Sequence, residues 1–123
     1  MTKWLTAAEM RAWRAYIGTY ADLASALEAD LLVHGLDLGD YQVLVYLSEV
    51  ERHEMRMCDL AEQLQLSPSG LTRRLDGLVK SGAVVRRGSE VDRRVMMAVL
   101  TDDGHAILER VAPHHVASVR RRV

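Results

Sequence analysis

The strongest constraint on the fold is a pair of short helical segments separated by a tight turn. The first segment is Asp59–Leu64, and Gln65-Leu66 forms the turn after it. Ser67-Pro68 then opens a second helix, because serine is a good N-cap and the missing N–H of proline is harmless at the first helical position. Ser81-Gly82 ends this helix in the usual C-terminal manner. The spacing predicts a helix-turn-helix.

After Gly82 the apolar pattern changes from helical to alternating. Val84–Arg87 and Val95–Leu100 have the composition of strands, and the polar segment Gly88–Asp92 between them is typical of a turn. A further short strand is expected at Met55–Met57. The predicted fold class is therefore mainly α with a small β-hairpin wing, a winged helix-turn-helix.

A long amphipathic helix is predicted near the N-terminus. Thr6 and Glu9 form a capping box, and apolar residues then recur every three or four positions until a helix end near Val33. This stripe suits a seam with a second helix, from a partner chain or from the chain itself. The residues predicted to form a dimer seam are Met10, Trp13, Ile17 and Tyr20.

The other helices are predicted from residues that typically begin or end a helix. His34-Gly35 closes the first helix, Leu36–Gly39 is expected to be a loop, and Asp40–Val50 a second helix. Thr101 caps a last helix, which Pro113 is expected to kink.

Charge is unevenly distributed along this chain of net charge −1. Residues 1–66 carry 5 basic and 11 acidic side chains, whereas residues 67–123 carry 11 basic and 6 acidic. Local basic density favours phosphate binding, because lysine and arginine displace counterions from nucleic acid. The alternative is a solvated charged face without a partner.

The helix that starts at Ser67 has the properties of a DNA-reading helix. With its leucines buried, Arg73 faces outward and can reach guanine in the major groove, and Gly70 permits close approach. Arginines of the hairpin suit the minor groove, and Asp92 is expected to orient one of them. The predicted DNA-binding residues are Ser67, Ser69, Gly70, Thr72, Arg73, Arg74, Lys80, Arg86, Arg87, Asp92, Arg93 and Arg94.

Other classes of function lack support in the sequence. No apolar run of about 18 residues and no signal peptide occur, so a cytoplasmic protein without a membrane span is expected. Cys58, the single cysteine, is either a redox switch or a small residue near a helix N-cap, and the second reading is favoured. The histidines show no zinc spacing and no catalytic motif is present, so we expect no metal, no cofactor and no enzyme activity.

Taken together, these features resemble the MarR family of bacterial transcription regulators over nearly all 123 residues. The matching segments are Trp4–Thr6, Arg11–Arg14, Asp59–Leu64, Leu66–Arg73, Leu78–Val84, Asp92–Arg94 and Leu100–Gly104. The resemblance implies a homodimer on a palindromic operator, with Arg94 in the minor groove and Asp92 bracing the wing. It also implies repression relieved by a small aromatic or phenolic effector.

One departure from the family concerns the end of the sequence. The family has a further C-terminal dimerisation helix, and from the sequence after Arg120–Arg122 we expect this helix to be missing or truncated here. We therefore expect one domain over 1–123, with a dimerisation helix at 1–35, a DNA-binding lobe at 40–100 and a C-terminal helix at 101–123. The alternative function is an effector-binding or protein-interaction module with weak or lost DNA binding.

Overall fold

The computed structural model describes residues 1–123 and contains five helices and three strands, which confirms the predicted fold class. A short 3₁₀ turn over Glu51–His53 precedes the first strand. The elements in chain order are α1 (Ala7–Leu32), α2 (Leu38–Glu49), β1 (Glu54–Arg56), α3 (Met57–Leu64), α4 (Pro68–Lys80), β2 (Val84–Gly88), β3 (Met96–Leu100) and α5 (Asp102–Arg122).

Side-chain caps determine where the helices begin. The predicted capping box of Thr6 and Glu9 is present at α1, and Ser67 caps α4 by accepting a hydrogen bond from the Gly70 N–H at 3.1 Å. Thr101 caps α5 by the same type of hydrogen bond from the N–H of Gly104. These local hydrogen bonds satisfy backbone donors that the helix itself cannot pair.

Two predicted boundaries are wrong because the helix begins earlier than expected. Asp37 and Asp40 form a capping box, so Leu38 and Gly39 belong to α2 and not to a loop. Likewise α3 begins at Met57, which places Cys58 inside the helix and not at its N-cap. The helix-turn-helix itself is as predicted, with Gln65 in the left-handed conformation at the turn.

The hairpin is part of a three-stranded antiparallel sheet with the order β1-β3-β2. Val84 pairs with Leu100 and Gly88 with Met96, while Glu54 of β1 pairs with Val99 on the other edge of β3. The short strand predicted near Met55 therefore exists, shifted by one residue. It anchors the base of the wing to the segment before α3.

A single hydrophobic core lies between α2, α3, α4, the sheet and α5. Leu44 and Leu47 from α2 meet Leu60 from α3, and all three side chains are fully buried. Leu71 and Leu75 of α4 pack onto the same cluster. This burial leaves the opposite face of α4 directed away from the core.

Helix α1 is divided into two parts by its contacts. Its C-terminal end packs on α5, with Leu31 buried and Asp30 accepting hydrogen bonds from Ser118 and Arg122. Hydrogen bonds from Ser118 and Arg122 lower the pKa of Asp30 and keep its carboxylate charged. The first half of α1 extends beyond the core. No helix in the protein is long and apolar enough to cross a lipid bilayer.

Helix α5 continues through Pro113 and carries a half-buried histidine toward α2. The ring of His115 lies against Tyr41, with centroids 4.3 Å apart, and its Nδ1 atom is buried without a hydrogen-bond partner. Burial lowers the pKa of His115, since the charged imidazolium would lose solvation there. The neutral form is therefore the one that the fold accommodates.

We expect His115→Phe to reduce the loss of thermal stability on acidification. Below an ordinary histidine pKa of about 6.5 the unfolded chain takes up a proton that folded His115 resists, so stability present above that pH is lost as pH falls. Phenylalanine keeps a ring against Tyr41 but cannot titrate. The measurement is the melting temperature from pH 7.5 to 5.5, with the exposed neighbour in His114→Phe as the control; equal pH dependence in wild type and His115→Phe would contradict it.

Candidate nucleic-acid interface

Helix α4 presents one polar face to solvent because its apolar face is buried. Leu71, Leu75 and Leu78 are at most 3% exposed. The opposite side carries the residues predicted to face outward, all of which are exposed: Ser69, Thr72, Arg73, Asp76 and Lys80. The geometry predicted for this helix from a rotation of about 100° per residue is therefore present.

The N-terminal turn of α4 is ordered by its own hydroxyl groups. The Ser67 and Ser69 hydroxyls lie 3.3 Å apart, and the Thr72 hydroxyl donates to the Pro68 carbonyl at 3.1 Å. A helix N-terminus carries partial positive charge and favours a phosphate group. The exposed hydroxyls of this turn therefore lie where a nucleic-acid backbone would be stabilised.

Arg73 and Lys80 are the cations of α4 that have no carboxylate partner. Both are exposed, and neither forms an ion pair in the structure. A free guanidinium can donate two hydrogen bonds in parallel to a guanine edge or a phosphate. Among the predicted side chains, Arg73 has the geometry best suited to contact an external acceptor.

Arg74, which is predicted to contact phosphate, has carboxylate partners within the chain. Its Nη1 donates to both carboxylate oxygens of Asp37, at 2.7 and 2.6 Å, and to Asp40 at 3.3 Å. The guanidinium is turned toward the start of α2. Its charge is already balanced inside the protein, which makes Arg74 a poor candidate for a phosphate contact.

The pKa values of the two aspartates that hold Arg74 are shifted in opposite directions. Burial tends to raise the pKa of Asp37, but hydrogen bonds from Arg74 and the Asp40 N–H outweigh it and lower that pKa. Burial raises the pKa of Asp40, and the neighbouring Asp37 charge adds to this rise. Asp37 is thus the main counterion of Arg74.

Arg86 also faces the protein and joins the wing to α4. Its Nη2 donates to the Thr72 carbonyl at 2.9 Å and to Asp76 Oδ1 at 2.8 Å. Arg87, on the other face of β2, donates to Glu54 of β1. Both arginines are among the residues predicted to contact DNA, and both have carboxylate partners within the chain.

The wing tip contains a preformed ion pair. Arg94 donates to both oxygens of Asp92, at 3.1 and 3.2 Å, and its N–H donates to the same carboxylate at 3.0 Å. Hydrogen bonds from the Arg94 side chain and then its backbone lower the pKa of Asp92. The orienting role predicted for Asp92 is thus visible, and Arg94 remains 91% exposed. Arg93 beside it forms no ion pair.

Sequence reasoning missed the acidic partners of these arginines. Asp37 and Asp40 were assigned to a loop and a helix start, although their spacing matches the capping box that the structure contains. No local signal links Glu54 to Arg87, 33 positions away. These carboxylates hold the arginine side chains around the free face of α4.

The residues predicted to form a dimer seam lie on the projecting half of α1. Trp13 is 52%, Ile17 41% and Tyr20 68% exposed, and Met10 is half-buried. Large apolar side chains in contiguous exposed surface mark interaction sites in soluble proteins. This face meets no other part of the chain that would cover it.

Comparison with known proteins identifies relatives of the whole fold. A sequence model of the MarR family matches residues 34–95. The structure is similar to AbsC, a MarR family transcriptional regulator from Streptomyces coelicolor, with 45% identity and a TM-score of 0.94 over 98% of this chain and 82% of AbsC. Sco3205, a MarR family regulator from the same organism solved in complex with DNA, gives 37% identity and a TM-score of 0.95 over 100% of this chain and 78% of Sco3205.

A curated relative is the HTH-type transcriptional repressor YetL of Bacillus subtilis (strain 168). It is 32% identical over 85 residues, which cover 69% of this chain and 51% of YetL. The chain spans about half the length of the curated relatives it matches.

We expect Arg86→Met to destabilise the fold by about 1 kcal/mol, because it removes the hydrogen bonds between the wing and α4 while keeping an unbranched side chain. For a chain of this size the melting temperature should fall by roughly 3–6 °C. Arg93→Met is the matched control, since Arg93 has no ion pair, and should leave the melting temperature unchanged. Equal melting temperatures for the two variants would show that Arg86 does not support the wing.

Proposed function

The chain belongs to the MarR family of transcriptional regulators, and we propose that it represses transcription by binding a palindromic DNA operator as a homodimer. The observation that carries this proposal is the exposed face of α4, on which Arg73 and Lys80 lie free beside an ordered wing. An α-helix with this surface fits the major groove of B-DNA. Sco3205, which has a similar fold, was solved in complex with DNA, and this supports a DNA-binding role for this chain.

We propose a specific DNA contact for each side chain of the interface on α4. Arg73 reads a guanine edge, while Ser69 and Thr72 contact bases or phosphate near the helix N-terminus. Ser67 and Gly70 support close approach of the backbone, and Lys80 contacts phosphate further along the groove.

The wing supplies the second contact. Arg94 enters the adjacent minor groove, where negative potential attracts arginine, and Asp92 holds its guanidinium in place. Arg93 is free to contact a phosphate. In this assignment Arg74, Arg86 and Arg87 act within the protein and support the interface from behind.

The homodimer is proposed from the projecting half of α1. Helix pairs with apolar residues every three or four positions bury them against each other, and Met10, Trp13, Ile17 and Tyr20 provide such a stripe. We propose that the chain forms one domain with three parts. Residues 1–35 are the dimerisation segment, residues 40–100 are the DNA-binding lobe, and residues 101–123 are a C-terminal helix that connects these two parts.

Regulation follows from the family assignment. YetL carries the name of a repressor, and a repressor role is proposed here on that similarity. Relief by a small aromatic or phenolic effector stays a prediction of the resemblance. The proposed site of action is the bacterial cytoplasm, where the chromosome is accessible.

We expect Arg73→Ala to weaken operator binding by about 1–3 kcal/mol and to relax base preference at one operator position, since a bidentate base contact is lost. Arg94→Ala should lower affinity more evenly across sequences. The measurement is selection of bound sequences from random DNA, followed by mobility-shift titration.

Arg110→Ala is the control for the two interface variants, because Arg110 is exposed on α5, away from α4 and the wing, and forms no ion pair. Failure of the wild-type protein to enrich any sequence over competitor DNA at moderate salt would contradict the operator proposal. It would favour an effector-binding or protein-interaction module instead.

We expect Ile17→Lys to convert a dimer to a monomer, since it places a charge within the apolar stripe of α1. Ala15→Lys adds the same charge to the opposite face of the helix and should leave the dimer intact. Sedimentation equilibrium measures both. Dimers of equal affinity for the two variants would show that this face is not the interface.

A further inference from the structure

We propose that Arg74 is a positioning residue that sets the spacing between the two operator half-sites recognised by a dimer. It would do so by holding the reading helix α4 at a fixed angle to α2 and α1, and not by contacting DNA. The proposal rests on the proposed function, because it concerns how two reading helices are arranged on one operator.

The first observation is the clasp that Arg74 forms with the start of α2. One guanidinium nitrogen lies within 3.3 Å of oxygens from two carboxylates, Asp37 and Asp40. All three side chains are about one-third exposed or less. The hydrogen bonds that Arg74 donates to Asp37 raise the pKa of Arg74, which keeps the guanidinium charged in this position. The clasp therefore joins the middle of α4 to the N-terminus of α2.

The second observation is that the backbone leaves room for this guanidinium. The flat face of Arg74 lies against Gly39, and a Cβ atom there would be 2.5 Å from Arg74 Nη2. Gly39 has ordinary helical geometry, so its conformation does not require glycine. Glycine is among the poorest helix formers, yet it occupies the first turn of α2, where any side chain would displace Arg74. The absence of a side chain at Gly39 is what permits the clasp.

The third observation connects the clasp to α1. The backbone N–H of Leu38, next to Asp37, donates to Glu28 Oε1 of α1 at 3.2 Å. The N-terminus of α2 is thus hydrogen-bonded on one side to the proposed dimerisation helix and on the other to the reading helix. This junction adds a polar link between α4 and the proposed dimerisation helix to the hydrophobic packing of the α4 leucines.

This junction has a direct consequence for operator recognition. A helix-turn-helix dimer places its two reading helices about 34–36 Å apart, one turn of DNA, so that both enter the major groove on the same face. A reading helix that is loosely held can follow half-sites that lie closer together or further apart. A clasped helix accepts only the spacing that the protein imposes.

The test uses the palindromic duplex obtained by selection with the full-length protein, and the same duplex with one base pair inserted or deleted at its centre. Arg74→Met removes the guanidinium but keeps a good helix former. Gly39→Ala keeps Arg74 and its charge but places a Cβ atom where the guanidinium lies, so the guanidinium must shift. Melting curves of both variants verify that they are folded, and Arg110→Ala is the control. Mobility-shift titrations on the three duplexes are repeated over a range of salt concentrations.

We expect Arg74→Met and Gly39→Ala to reduce the preference for the selected spacing by about 2- to 30-fold, the range of coupling changes seen for residues outside a binding site. The salt dependence of binding should stay as in wild type, because no phosphate contact is lost. The half-site sequence preferred in a second selection should also be unchanged.

A different pattern would overturn the proposal. If Arg74 contacts phosphate, Arg74→Met will weaken binding equally on all three duplexes and lower the salt slope by about one, while Gly39→Ala will leave binding intact. Spacing preference equal to that of wild type in both variants would also overturn it. Wild-type protein that selects no duplex at all would instead overturn the proposed function, and the inference with it.

Discussion

Burial of the leucine face of α4 is the constraint on which the remaining structure depends. Leu71, Leu75 and Leu78 are removed from water, and each side chain of this size contributes about 1.5–3 kcal/mol when fully buried. A helix fixed in this way cannot rotate about its axis without exposing these leucines. The direction in which Arg73 points is therefore determined by hydrophobic packing on the far side of the helix.

Acidic residues near the interface organise the arginines around that face. Arg74 is held by Asp37 and Asp40, Arg86 by Asp76, Arg87 by Glu54 and Arg94 by Asp92. A carboxylate beside a cation would normally weaken attraction to nucleic acid. These pairs fix four arginines at the start of α2, at β1, on α4 and in the wing, while Arg73 and Lys80 of α4 form no ion pair. The chain can thus have a net charge of −1 and still present a basic surface.

The features that the sequence predicted well are those encoded by neighbouring residues. Ser67-Pro68 and Ser81-Gly82 mark the ends of α4 within its own turns, and helical geometry then gives the outward positions. The partners of the arginines were not predictable in this way. Arg74 and Asp37 are 37 positions apart, and their contact exists only because α2 and α4 pack side by side. Arg74 and Arg86 were expected to contact DNA because a charged side chain at the surface gives no local sign of an internal partner.

The ion pair at the wing tip also has an entropic consequence. A flexible arginine loses about 1.5–2 kcal/mol of rotamer freedom when it is fixed in one conformation. Arg94 is restricted by Asp92 while the protein is free, through contacts of its backbone and of its guanidinium. Much of that ordering therefore occurs during folding and not during association. The wing of this chain is preorganised, so the insertion proposed for Arg94 would require little further loss of conformational entropy.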